Sequence, residues 1–270
     1  MLAHPKSIIQ TLQDRHYFSG QCIVTEITSG TSSTVFFIDD YSKKFILKLN
    51  EEKIIQSEVA FLKRYAHLAA FPNVISTDDR TYILMEWLAG EMLSKDYSKM
   101  KLLQSIAFMK QYDHCDQEIG YLSDLKDDFK IFLKDELELQ RLILSDYIDI
   151  DLLLETLHST ALPEEIPMYV HGDFGYHNMM LHDGTIRVID PTPMQNLILY
   201  ELLFLYFSSP MDINNDTFKA YYRHYQKYAV MSFDDFKVYA QAILALRIST
   251  STRHHPEDTD SYINIMNKMY

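Results

Sequence analysis

The sequence has very few cysteines: only Cys22 and Cys115 occur in 270 residues, and they form no CxxC pair. A disulfide framework and a thiolate zinc cluster are therefore excluded, and the scarcity of cysteine favours a reducing compartment. Glycine and proline are also scarce, with 7 and 8 occurrences. Because 47% of the residues are hydrophobic and 23% are charged, we expect an ordinary globular protein and not a fibrous or disordered one.

The sequence also lacks a long hydrophobic run. Its first residues, MLAHPKSII, contain no apolar core of a secretory signal. The longest apolar stretch, 197–207, is interrupted by Glu201 and is too short to cross a bilayer. We therefore expect a cytoplasmic protein that has no membrane partner.

Positive charge is in deficit, with a formal net charge of −13. This balance argues against a nucleic-acid partner, because phosphates need a basic face. The acidity is concentrated in residues 113–165, which hold 15 acidic and 4 basic residues. Two interpretations stay open at this point: a solvated helical face, or an acidic wall beside a site that receives a cation.

The hydrophobic pattern changes along the chain from strands to helices. Short β-rich runs at 23–28, 34–38, 45–49 and 82–87 dominate residues 1–88 and surround one helix that begins near Glu52. A hinge follows near residue 88. Residues 89–270 are mainly helical and carry a few short strands near 168–189. The pattern predicts an α+β protein with a small β-rich N-terminal lobe (1–88) and a large, mainly helical C-terminal lobe (89–270).

One motif carries most of the chemical information. The residues from His171 to Asn178 read HGDFGYHN, and Asp190 follows at the end of a predicted strand. Phosphoryl transfer needs a carboxylate that orients the attacking hydroxyl and takes its proton, together with metal ions over the developing negative charge. An Asp on a loop, an Asn five residues later and a second Asp one hairpin further supply such groups, and oxygen ligands of this kind suit Mg²⁺.

With this motif the chain resembles the aminoglycoside phosphotransferase and choline kinase family, small-molecule kinases built like protein kinases. The resemblance implies a protein-kinase-like two-lobe fold, with ATP and Mg²⁺ as cofactors. It further implies that Asp173 is the catalytic base, that His171 braces the loop by hydrogen bonding, and that Asn178 and Asp190 bind Mg²⁺. The chain departs from the family after Asp190, where Glu201 stands in place of an Asp on a helix.

The N-terminal lobe contains further residues that the resemblance singles out. Gly30, Ser32 and Ser33 lie in a turn between two predicted strands, where small residues and backbone N–H groups suit a phosphate loop. Lys48 lies on the third predicted strand, on a different face from its apolar neighbours, and Glu58 lies on the following helix. The resemblance implies that Glu58 holds Lys48 beside the nucleotide.

The strand from Tyr82 to Trp87 leads into the hinge. The resemblance implies that adenine bonds there to the carbonyl of Glu86 and the amide of Leu88, and that Met85 lies at the edge of the base.

These residues predict an ATP-dependent phosphotransferase that acts on a hydroxyl of a small molecule. The acidic segment favours a cationic acceptor such as an aminoglycoside antibiotic, which would make the protein an antibiotic-resistance enzyme. A metabolic kinase for choline, ethanolamine, an amino acid or a sugar is the alternative, and a non-catalytic nucleotide-binding scaffold is the second. The chain is expected to act as a monomer or a homodimer.

Overall fold

The structure is a computed structural model that describes residues 5–27, 33–113 and 129–269. Gly30 and Ser32, two of the predicted nucleotide-binding residues, lie outside the described residues. The acidic residues Asp124, Asp127 and Asp128 lie outside them as well.

The N-terminal part is a five-stranded antiparallel sheet with two helices, one before the first strand and one between the third and the fourth strand along the chain. The sheet order is β1-β2-β3-β5-β4. Its elements are α1 (Pro5–Asp14), β1 (Ile23–Ile27), β2 (Thr34–Asp40), β3 (Lys43–Leu49), α2 (Glu52–Arg64), β4 (Val74–Thr77) and β5 (Tyr82–Glu86). The strands predicted near 23–28, 34–38, 45–49 and 82–87 and the helix predicted from Glu52 are thereby confirmed, whereas α1 and β4 were not predicted.

Alternation along β3 and β5 divides the sheet into two buried faces. Phe45, Leu47 and Leu49 pack with α1 in one hydrophobic core, together with Tyr82 and Leu84 of β5. The intervening residues face α2, whose apolar side belongs to a second, larger core that continues into the helical part of the chain. Lys48 pairs in register with Ile83 and therefore lies on the α2 side of the sheet.

The remainder of the described chain is mainly helical. Its helices are α3 (Lys99–Ser105), a 3₁₀ helix (Ala107–Gln111), α4 (Phe129–Leu139), α5 (Arg141–Leu144), α6 (Ile150–Ser159), α7 (Ile198–Phe207), α8 (Asn215–Tyr225), α9 (Phe233–His254) and α10 (Pro256–Met269). Its strands are β6 (Glu91–Met92), β7 (Met168–Val170), β8 (Met179–His182), β9 (Thr185–Val188) and β10 (Met194–Asn196). The predicted α+β architecture, a small sheet followed by a large helical part, is confirmed.

The short strands form two small sheets that present the chemical motif. β7 pairs with β10, and β8 pairs with both β6 and β9. The segment 171–178 joins β7 to β8, and the segment 189–193 joins β9 to β10. The two halves of the motif are therefore held side by side by the strands that flank them.

The segment between β5 and β6 contains the predicted boundary at residues 88 and 89. The small core around α1 lies before this segment, whereas the large core draws on α2 and on the helices after it. No helix among the described residues is long and apolar enough to cross a membrane.

Candidate active site

Gly172 fixes the path of the loop that carries the motif. Its φ is +82°, and a Cβ at this position would lie 1.9 Å from the carbonyl oxygen of Thr192. The Thr192 amide donates to the carbonyl of His171 at 2.9 Å. Only glycine combines this backbone conformation with so close an approach. The loop after β7 is thus pressed against the segment that follows Asp190.

His171 lies in the interior directly beneath this loop. Its side chain is fully buried, and burial lowers its pKa to about 4, so the imidazole is neutral. The neutral ring donates from Nε2 to the carbonyl of Ile189 at 3.0 Å. His171 therefore joins the loop to the residue that precedes Asp190, and its bracing role stays a prediction.

Asp173 presents a partly exposed carboxylate at the surface of the loop. Its Oδ2 atom accepts hydrogen bonds from Nε2 of His177 at 3.0 Å and from Nδ2 of Asn178 at 2.9 Å. Burial alone would raise the pKa of Asp173, but the hydrogen bonds and the charge of His177, together with Asn178, hold it below its usual value. The group is an ionised carboxylate, which can accept the proton of a hydroxyl.

Asn178 and Asp190 present side-chain oxygen atoms on neighbouring segments. The Nδ2 group of Asn178 donates to both the carbonyl and the carboxylate of Asp173, so its Oδ1 atom is turned away from that residue. The Ile189 amide donates to the Asn178 carbonyl at 2.9 Å. The side chain of Asp190 is 60% exposed.

This pair fits Mg²⁺. The ion prefers one or two protein oxygens and completes its shell with phosphates and water. Among the described residues no three His, Cys, Asp or Glu side chains are grouped closely enough to hold a metal ion by themselves. An amide oxygen and an exposed carboxylate are the donor set expected for an ion that arrives with the nucleotide.

Lys48 connects the sheet to Asp190. Its Nζ lies 2.6 Å from Oε2 of Glu58 and also contacts Oδ1 of Asp190. Both Lys48 and Glu58 are buried. Burial would lower the pKa of Lys48, but the carboxylates of Glu58 and Asp190 raise it above its ordinary value. The amine is therefore charged and lies beside the candidate metal ligands.

The phosphate loop is described only in part, whereas all residues of the hinge segment 85–90 are described. The Leu88 amide donates no hydrogen bond within the described segments, whereas the amides of Glu86 and Trp87 donate to the carbonyls of Asn73 and Lys44. Met85 is buried in the large core. Ser33 accepts a hydrogen bond from Nδ2 of Asn50 at 2.6 Å. The proposed roles of Met85, Glu86, Leu88 and Ser33 stay predictions.

Two residues at this site have a role that the motif did not reveal. The Gly172 amide donates to Oε1 of Glu201 at 2.9 Å, and burial raises the pKa of Glu201 to about 8. The sequence marks Glu201 as the one charge in an apolar run, which is a usable signal for a buried partner. His177 contacts Asp173 from four positions along the loop, and a pattern of residue types alone does not indicate that contact.

A model described as the phosphotransferase enzyme family matches residues 23–234. Choline kinase LicA from Streptococcus pneumoniae is 14% identical with a TM-score of 0.65, and the match covers 99% of each chain. A thermostable mutant of the aminoglycoside phosphotransferase APH(4)-Ia, in a ternary complex with ADP and hygromycin B, is 16% identical with a TM-score of 0.63 and 97% coverage of each chain. Choline kinase from Cryptosporidium parvum is 11% identical with a TM-score of 0.57, covering 98% of this chain and 93% of that chain. None of the curated proteins compared with the chain matches it.

At sequence identities of 11–16% the solved structures support only the fold. Membership of the family is shown by the family model. That model spans the five-stranded sheet, the Lys48–Glu58 pair, the HGDFGYHN loop and Asp190. The chain belongs to the phosphotransferase enzyme family.

Proposed function

We propose that this phosphotransferase transfers the γ-phosphoryl group of ATP, with Mg²⁺, to a hydroxyl group of a small, amine-bearing molecule. One observation carries the proposal. Lys48 contacts both Glu58 and Asp190, Ile189 bonds to Asn178, and Asn178 bonds to Asp173. Five charged or polar side chains from the sheet, α2 and two loops are thereby held together, with Asp190 and Asn178 linked through backbone atoms. A folded scaffold does not need this network.

Each member of this network has a task in phosphoryl transfer. The charged amine of Lys48 would bind phosphate oxygens of ATP, and Glu58 holds that amine in place. Asn178 and Asp190 would hold Mg²⁺, which neutralises charge on the phosphates. Asp173 orients the acceptor hydroxyl and takes its proton as the oxygen attacks phosphorus.

The acidic middle of the chain supports a cationic acceptor. Burial raises the pKa of Tyr200 on α7, and the carboxylates of Glu201, Asp173 and Glu136, in falling order of effect, raise it further. Glu136 of α4 and the catalytic loop are therefore within electrostatic reach of the same phenol. A carboxylate there would attract an amine and orient the hydroxyl it carries.

Other acidic residues of the segment are exposed to solvent or form surface ion pairs. Glu138 and Asp151 both bind Arg141, at 2.7 Å and 2.9 Å, and Asp135, Asp146 and Glu155 are exposed. These acids therefore belong to a solvated helical surface, and we propose that Glu136 is a carboxylate of the segment that faces the acceptor.

The second candidate is a metabolic kinase, and two choline kinases among the similar structures favour keeping it. Choline is itself a cation that carries a hydroxyl, so the same carboxylates would suit it. An aminoglycoside acceptor would make the enzyme an antibiotic-resistance factor. We further propose a cytoplasmic location, where ATP is abundant and the scarce cysteines stay reduced.

An ADP-release screen tests the proposal. Purified enzyme with Mg²⁺-ATP is offered hygromycin B, other aminoglycosides, choline, ethanolamine, serine and glucose, with Asp173→Asn as the catalytic control. We expect turnover with an amine-bearing acceptor and none in the control. A preference for glucose would contradict the acceptor class, and binding of ATP without turnover on any acceptor would favour the scaffold alternative.

A further inference from the structure

We infer that His177 is a positioning residue which holds the carboxylate of Asp173 so that its Oδ1 atom takes the proton from the acceptor. The inference rests on the proposed function, in which Asp173 is the base. It concerns a residue that neither the motif nor the family match distinguishes.

The two carboxylate oxygens of Asp173 have different surroundings. Oδ2 accepts from His177 at 3.0 Å and from Asn178 at 2.9 Å. Oδ1 accepts from no donor in the part of the chain that the structure describes. The torsion about Cβ–Cγ of an aspartate is otherwise broad and roughly two-fold. Two donors on one oxygen fix that torsion and leave Oδ1 free to meet a hydroxyl.

Gly175 provides the space in which the imidazole lies. A Cβ at this position would be 2.6 Å from Cε1 and 2.7 Å from Nδ1 of His177. The backbone of Gly175, with φ −117° and ψ 167°, is one that any residue adopts. Glycine is therefore required here by the neighbouring ring and not by its own conformation.

A purely structural role accounts poorly for this arrangement. The His177 side chain is 48% exposed, so its ring adds little to the packing of the interior. Its ring nitrogen binds the one carboxylate on which the proposed chemistry depends. The glycine and the histidine thus act as a pair that orients Asp173.

The test compares substitutions at both positions. His177→Ala removes the donor, and we expect kcat to fall roughly 10- to 100-fold, with KM for ATP unchanged, because a misplaced base slows the chemical step and not binding. His177→Gln keeps an N–H donor at a similar reach and should restore most of kcat. Gly175→Ala should displace the ring and reproduce the loss seen in His177→Ala.

The double variant Gly175→Ala/His177→Ala distinguishes a shared effect from two separate ones. If the two residues act as a pair, its kcat equals that of His177→Ala, because the ring that the new Cβ displaces is already absent. His182→Ala, which removes another partly exposed histidine, at the end of β8, is the matched control and should keep wild-type kcat. Thermal unfolding of every variant checks that the fold is retained.

The rates are measured with Mg²⁺-ATP and the panel acceptor of highest turnover, and with water as acceptor in basal ATP hydrolysis. Provided that Asp173→Asn is inactive, the inference is overturned if His177→Ala has the kcat of wild type. It is also overturned if His177→Ala and His177→Gln have the same kcat. Full additivity in the double variant would overturn the pairing. If Asp173→Asn is as active as wild type, the proposed base fails and the inference fails with it.

Discussion

Among single residues, Asp190 is held both through its side chain and through its backbone. It contacts Lys48, it follows the residue that His171 and Asn178 both hold, and its backbone has a φ of +56°. Aspartate tolerates this left-handed conformation better than most residues. An exposed carboxylate in a constrained backbone is available to a metal ion that enters with the nucleotide.

Asp190→Ala tests the metal site directly. We expect Mg²⁺ to stop enhancing ATP binding in isothermal calorimetry, because the variant lacks the charged oxygen ligand. Asp183→Ala is the matched control, since Asp183 is an exposed aspartate whose φ is also positive, at +48°. It carries the same backbone cost but should keep the Mg²⁺ effect. Retained Mg²⁺ enhancement in Asp190→Ala would move the metal site elsewhere.

Among the elements, α7 organises the catalytic loop. The helix is buried on all sides, which is typical of a helix in the centre of a domain. Glu201 accepts from the Gly172 amide near its start, and Ser208 accepts from the Tyr176 amide at 3.2 Å just after its end. Lys99 donates to the carbonyls of Tyr206 and Ser209 and closes that end. The loop is thus bonded to α7 and the residue after it at two positions, through the amides of Gly172 and Tyr176.

The buried carboxyl of Glu201 predicts a pH dependence of stability. Its folded pKa of about 8 exceeds the ordinary value of 4.5, mainly because of burial. The folded state therefore binds the proton more tightly than the unfolded chain. The stabilising contribution is complete below pH 4.5 and is lost as the pH rises towards 8.

Glu201→Gln should remove this pH dependence. Its amide oxygen can still accept from Gly172 and it never ionises, so at pH 8 the free energy of unfolding should exceed that of wild type by roughly 1–4 kcal/mol. Urea unfolding between pH 5 and 8 measures the effect, with the exposed Glu26→Gln as control. An identical pH dependence in wild type and Glu201→Gln would rule out Glu201 as its source.

At the scale of the whole molecule, charge is unevenly distributed. The net charge is −13, and residues 113–165 hold most of it. In the candidate site Lys48 contacts Asp190, and the carboxylates of Asp173 and Glu136 both lie within electrostatic reach of Tyr200. An anionic nucleotide and a cationic acceptor would each meet charges of the opposite sign.

The dependence of KM on salt distinguishes the acceptor from the nucleotide. Exposed charges are screened over about 8–10 Å at physiological ionic strength, so KM of the acceptor should rise steeply between low and moderate salt while KM of ATP changes less. Glu136→Gln should flatten the salt dependence of the acceptor, and Glu155→Gln, which changes an exposed acid of α6, should not. An acceptor KM that is indifferent to salt would show that the acidic segment is only a solvated surface.

The local sequence pattern predicted most strands of the N-terminal sheet, the helix after Glu52 and the position of the HGDFGYHN loop between short strands. Alternation predicted that Lys48 lies on the opposite face of β3 from Leu47, and the register with Ile83 confirms it. The pattern could not predict that α2 joins the large core, because that packing depends on residues far apart in sequence. For the same reason the contact of Glu201 with Gly172 was not predicted. The bond of His177 to Asp173 was not predicted either, since it needs the space that Gly175 leaves for the imidazole.

The central claim is that Asp173 is the base of a phosphoryl transfer, and Asp173→Asn tests it most directly. The variant keeps the shape of the side chain but lacks the carboxylate. We expect ATP binding to be retained and kcat to fall by about 10²–10⁴ with the acceptor found in the screen. A kcat within a few-fold of wild type would contradict the account.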